Sequence, residues 1–171
     1  MSVKFCYLFE NARFHSSFIV SNTISLSSSS HLIKFPLALV CHLPELKVSS
    51  NCLDFGSVYY GNTEFKDFSI TNSSQHCKAF YKVQLPQTRE SDSNFYLVEN
   101  KADDKNTVIK KHVKTGILLP GENIRVMTGF KPDGKQLSYS LKATIFEELV
   151  GKTEVDIEFK GMASFDSKGD E

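Results

Sequence analysis

The chain has 171 residues, enough for one domain of ordinary size with a segment left over. Its 20 basic and 20 acidic side chains cancel, which removes the basic excess that nucleic-acid binding needs. No window approaches the ~20 apolar residues of a membrane span, so no membrane insertion is expected.

The opening run from Met1 to Glu10 is a short apolar stretch with one lysine, closed by Glu10 and Arg13, and makes a poor secretory signal. Cys6, Cys41, Cys52 and Cys77 lack the close spacing of a zinc knuckle or a redox pair. They read as reduced thiols of an intracellular protein, with one buried disulfide in a secreted sandwich as the alternative. Asn72-Ser73-Ser74 matches a glycosylation sequon, which has meaning only in the secretory pathway, and is read here as a turn at a strand end.

Residues 1–43 contain two strand-like runs. Ser17-Phe18-Ile19-Val20 leads into Thr23-Ile24-Ser25-Leu26, Ser27 to Ser30 interrupts, and Leu32 to Cys41 follows. Pro36 restricts the second run to a sheet edge or a bulge.

From Leu43 to Phe165 a period of two recurs, with turn signals at roughly every 8–12 residues. Glu45-Leu46-Lys47-Val48 and Cys52 to Phe55 are the first candidates, and Glu64 to Thr71 sets Phe68 and Ile70 on one face. Ala79 to Leu85 groups Tyr81, Val83 and Leu85 against Phe80, Lys82 and Gln84. The polar turn Thr88 to Asn94 precedes Phe95-Tyr96-Leu97-Val98, and Val108 to Leu118 reads as one further strand. Leu119-Pro120-Gly121-Glu122 is a tight turn feeding Ile124, Val126, Thr128 and Phe130, which stop at Pro132. Tyr139, Leu141, Ala143 and Ile145 alternate with Ser140, Lys142 and Thr144; Val155, Ile157, Phe159 and Gly161 alternate with Asp156, Glu158 and Lys160. No stretch has helical period. The pattern predicts an all-β protein, an immunoglobulin-like antiparallel β-sandwich of roughly seven to eight strands on a Greek-key path, over residues 44–165, with 166–171 as a polar tail. Phe35-Pro36-Leu37-Ala38-Leu39 echoes Val155 to Gly161, so residues 1–43 are read either as the remnant of a preceding sandwich repeat or as an irregular segment with added edge strands.

Leu53-Asp54-Phe55-Gly56 with Val58 and Gly61, the strand closing on Asn72-Ser73-Ser74, Leu119-Pro120-Gly121-Glu122, Phe130-Lys131-Pro132, and the alternation from Val155 to Ala163 occur in an order that resembles the ASH group. That group is named for abnormal-spindle, spindle-defective and Hydin proteins and is related to major sperm protein (MSP) domains. The resemblance covers residues 44–165. It implies tandem sandwiches in a longer parent protein, Hydin-type, at the axoneme of a cilium or flagellum or at a centrosome, within the cytoplasmic cytoskeleton. The implied role is a non-enzymatic scaffold for protein partners, microtubule-associated ones among those it could meet, with an MSP-type adaptor binding short acidic peptides at membrane contact sites as the alternative. A luminal sandwich resembling pilus chaperones, carrying sugar on Asn72, is a third reading.

The motif residues have structural jobs: Leu53 and Phe55 fill a core, Gly56 and Gly61 permit turns, and Asn72 satisfies backbone groups through its side chain. No catalytic, cofactor or metal site is expected, and the adjacent pair His76-Cys77 would point to opposite faces if it lay on a strand. Partner-binding candidates are Lys82, on the strand comparable with the peptide-binding strand of MSP domains (though Gln84 stands where a second lysine would help), and Lys110, Lys111 and Lys114. The last three form a basic cluster with Lys105 and His112, beside Asp103 and Asp104. That cluster either attracts an acidic partner or guards an edge strand. Tyr59, Tyr60, Phe80 and Tyr96 are expected to face outward in part.

Overall fold

The computed structural model describes residues 17–27, 32–86, 94–101, 104–148 and 154–165. The expectations for the opening run, Ser28 to Ser30, residues 87–93 and the polar tail lie outside them. The chain divides into two compact units, Met1–Leu43 and Pro44–Glu171.

In the first unit β1 (Ser17–Ser27) and β2 (Leu32–His42) form a two-stranded antiparallel ribbon, in register from Ser17↔His42 to Ser27↔Leu32. Pro36 stands opposite Thr23. Both strands of a ribbon are edge strands, the setting in which proline is tolerated.

The second unit is a sandwich of two five-stranded sheets. Its strands are β3 (Leu46–Val48), β4 (Cys52–Tyr59), β5 (Glu64–Asn72), β6 (Ala79–Gln84), β7 (Phe95–Lys101), β8 (Asp104–Lys111), β9 (Val113–Leu118), β10 (Asn123–Phe130), β11 (Ser138–Glu147) and β12 (Glu154–Ser164). One sheet has the order β3-β5-β10-β7-β8, the other β4-β12-β11-β6-β9. Two runs change sheet along their length. β3 and β4 are halves of one strand parted at Ser49 to Asn51, and β8 and β9 are halves of another parted at His112. Joining each pair leaves eight strands, the upper end of the expected number.

Among the described ladders β4–β12 is parallel and the rest are antiparallel. Strand alternation cannot reveal this, because period two is the same in either direction. The ladder slips between Lys160↔Asp54 and Met162↔Ser57, and the extra residue is absorbed at Gly56, whose φ is 67°.

The faces follow the alternation. Phe68, Ile70, Tyr81, Val83, Leu85, Val126, Phe130, Ala143, Ile145, Ile157 and Phe159 are buried between the sheets. Phenylalanine supplies the bulk that the missing tryptophan does not. Phe95 and Phe130 stack with centroids 4.7 Å apart, and Phe55 meets both at 5.7 and 5.6 Å. Gly161 on β12 lets the Phe130 ring lie against the opposing backbone, since a Cβ there would fall 2.4 Å from Cε1 of that ring.

Candidate functional site

The residues that carry the family resemblance meet in space. Asn72 ends β5 and is fully enclosed. Its Nδ2 donates to the carbonyls of Cys77 (2.8 Å), Leu118 (3.2 Å) and Leu119 (3.2 Å), and its Oδ1 accepts from the Ser74 N–H at 3.1 Å. Its backbone N–H donates to Glu122 O, and the Gly121 N–H donates to Asn72 O, both at 3.0 Å. Leu119-Pro120-Gly121-Glu122 closes on itself through Glu122 N–H to Leu119 O at 3.0 Å, with Gly121 at φ 74°. Proline followed by a positive-φ glycine is the pattern of a type II turn. The side chain of one sheet's strand end thereby clasps the turn leaving the other sheet. Asp54 Oδ1 accepts from the Gly56 N–H at 2.8 Å and secures the bulge. The Asn72 amide is enclosed in the folded chain and is held by these backbone groups.

The candidate lysines do not form one site. Lys110 and Lys111 are neighbours on β8, so their side chains leave opposite faces. Lys110 Nζ lies 4.3 Å from the centroid of the Tyr96 ring. Lys111 pairs with Glu99, which holds that carboxyl below its usual range, with Lys114 adding to the same field. Lys114 shares its face of β9 with Gly116 and lies across from Val83, so it points between the sheets. Lys82 lies on the outer face of β6, in register with Thr115 and Phe146. Further along that face Lys142 is paired with Asp156 and Lys160 with Glu158, at 2.5 and 3.0 Å. The face around Lys82 therefore has no basic surplus, and the Lys105 side chain lies outside the described ones.

Tyr96 corrects an expectation. It is only 3 % exposed, because its ring covers Gly129 on the neighbouring strand and its hydroxyl bonds to the Thr63 side chain. Burial pushes its phenol pKa up. The unbroken apolar run Phe95 to Val98 was the available signal that both faces are covered. Tyr59 and Tyr60 are open, Tyr60 stacking on Phe165 at 6.2 Å, while Phe80 is half-buried. Around His76-Cys77 the turn is organised by Ser74, whose Oγ lies 3.0 Å from Cys77 Sγ. Cys52 and Cys77 are free thiols. Glu147, buried at the end of β11, accepts from the Phe80 N–H at 3.1 Å and was not foreseen, because an acid closing an alternating strand looks like a solvent-facing one. Among the described residues no three His, Cys, Asp or Glu side chains gather as metal ligands, and no helix is long and apolar enough to cross a membrane.

No family model matches the chain, and no curated protein matches it by sequence. Solved structures do. The ASH/PapD-like domain of human CEP192 (PapD-like domain 7) superposes with a TM-score of 0.50 at 14% identity, over 82% of this chain and 99% of that one. A protein of unknown function from Porphyromonas gingivalis has a TM-score of 0.44 at 14% identity, over 85% of this chain and 65% of that one. The periplasmic chaperone SfaE has a TM-score of 0.40 at 10% identity, over 71% and 59%. The chain carries the sandwich fold of the ASH/PapD-like domains.

Proposed function

We propose that this chain is a non-enzymatic interaction domain of a centrosomal, ciliary or axonemal assembly, which acts by presenting the edges and faces of a stiff sandwich to protein partners. Its parent carries such sandwiches in tandem, the ribbon of residues 17–42 being the end of a preceding one. The observation that supports this most is the clasp of Asn72 on Leu119-Pro120-Gly121-Glu122, two motifs of the ASH resemblance far apart in sequence that meet in a fold like that of the CEP192 domain. Leu53, Phe55, Gly56, Asn72 and Gly121, which carry much of the resemblance, have folding jobs, and the reading places function on surfaces.

Co-sedimentation of the full chain with axonemes tests the reading. A scaffold pellets with them and has no peptide affinity that depends on Lys82. The alternative, an MSP-type adaptor, rests on Lys82 alone among unpaired lysines of its sheet face; it requires salt-sensitive peptide binding that Lys82→Glu abolishes.

A further inference from the structure

β9 is the outer strand of its sheet, so among the described strands none pairs with one of its two edges. On the other edge the Leu85 N–H donates to His112 O at 2.8 Å, in the register that continues through Val83↔Lys114 and Tyr81↔Gly116. Hydrogen-bonded positions recur every second residue in an antiparallel ladder, so Lys114, Gly116 and Leu118 turn their backbone groups to β6. Val113, Thr115 and Ile117 turn theirs to the open edge. The same three residues send side chains to the outer face of the sheet, where Val113 is 37% and Ile117 54% exposed.

Lys114 points the other way, into a gap between the sheets. Among the described residues β7 pairs with β10 only at Thr128, Gly129 and Phe130, and Asn123 to Met127 have no described ladder partner on that side. Two adjoining pockets open there, both lined by Val98, Glu99 and Lys114; one adds Lys111, Val113 and Thr115, the other Asp67, Arg125 and Met127. Glu99 is paired with Lys111, and Arg125 with Asp67 at 2.7 Å. Lys114 is left as the unbalanced charge, with no ion pair of its own among the described residues.

An inward-pointing charge on an edge strand deters pairing with whatever strand arrives. A second copy of this chain would bring a second Lys114 into the same gap. A strand with a carboxylate at that place would instead neutralise the lysine while its backbone completes the open ladder. We propose that the β9 edge takes up, by strand addition, an extended segment of a partner protein with apolar residues alternating along its outer face and one Asp or Glu turned inward against Lys114. The inference rests on the interaction-domain reading and names its surface and the chemistry of its partner.

The probe is a synthetic peptide, Ser-Val-Ser-Val-Glu-Val-Ser-Val, titrated into the isotope-labelled full chain, with its Glu replaced by Gln or Lys for comparison. Amide resonances of Val113, Thr115 and Ile117 are expected to shift, and the Lys peptide to bind about tenfold more weakly, close to 1.4 kcal/mol. Lys114→Glu reverses that preference. Thr115→Pro removes an edge N–H without touching the ladder to β6, and abolishes binding while the thermal melt persists. Should that variant not fold, the Lys114→Glu reversal decides alone. The proposal is overturned by absence of binding, by shifts confined elsewhere, by a preference that ignores the charge swap, or by a dimer that Thr115→Pro dissolves. Loss of cellular targeting with peptide binding intact counts against the assembly role only; loss of peptide binding with targeting intact counts against this edge only.

Discussion

Replacing Asn72 by alanine separates a structural clasp from a functional residue. The substitution deletes an amide whose two hydrogens are shared among three carbonyls, and one acceptance from Ser74, and spares the backbone bonds to Glu122 and Gly121. The bond to Leu118 O is buried, so its loss carries the full desolvation cost of an unsatisfied acceptor, about 1–3 kcal/mol. The other three lie where water reaches in part, and about 0.5 kcal/mol each is the lower range for a replaceable hydrogen bond. The total is about 3 kcal/mol, a large share of the roughly 5–15 kcal/mol that holds a domain together. Urea unfolding followed by circular dichroism and tyrosine fluorescence (the chain has no Trp) reads it directly. At constant slope the midpoint should fall by about 1–2 M. Asn72→Asp keeps the shape but turns an acceptor toward three carbonyls, and should cost at least as much near neutral pH. A loss below about 0.5 kcal/mol for alanine, or a harmless aspartate, would refute the clasp.

Gly161→Ala forces a methyl into the Phe130 ring, which is fully buried and packed against Phe95 and Tyr139; about 1–3 kcal/mol should be lost, and a melting temperature unchanged within about a degree would contradict the tight packing. The Asp133 carboxylate accepts from the Tyr139 hydroxyl at 2.7 Å and the Lys135 N–H at 3.1 Å, which hold its pKa below the ordinary value. A folded pKa below the unfolded one contributes stability above the unfolded value and loses it as pH falls through the folded value. Melts taken from about pH 6 down to about pH 2 should therefore show an acid loss that Asp133→Asn flattens, and parallel curves would count against the bond. Tyr96→Ala exposes the Gly129 backbone on an outer face and should destabilise by about 3 kcal/mol in urea; an effect no larger than that of a surface residue would mean the ring is not the cover it is taken to be.

Much of the fold was legible because alternation reports which side of a strand is wet. Phe68 and Ile70, Tyr81 to Leu85 on odd positions, and Ala143 with Ile145 all lie where their spacing put them. Alternation has no sign, however, so it could not tell the parallel β4–β12 pair from an antiparallel one. It also could not show that β8 and β9, one run in sequence, belong to different sheets. The sheet change at His112 matters for the site: Lys110 goes to Tyr96, while Lys111 and Lys114 come from different sheets and meet only around Glu99. The lateral gap was illegible for the same reason, since Lys114, Glu99 and Arg125 come from three strands and only sheet order makes them neighbours. By contrast, the meeting of Asn72 with Pro120-Gly121 was prefigured in kind, because a buried asparagine and a positive-φ glycine turn both act by satisfying backbone groups.

The most direct test of the interaction-domain reading is where the tagged full chain goes in ciliated cells, imaged beside a version that begins at Leu43. Signal along the axoneme, at the basal body or at the centrosome is the outcome the scaffold role requires, and dependence on residues 1–43 would assign part of it to the β1–β2 ribbon. Diffuse signal, or a reticular pattern that follows membranes, would contradict it.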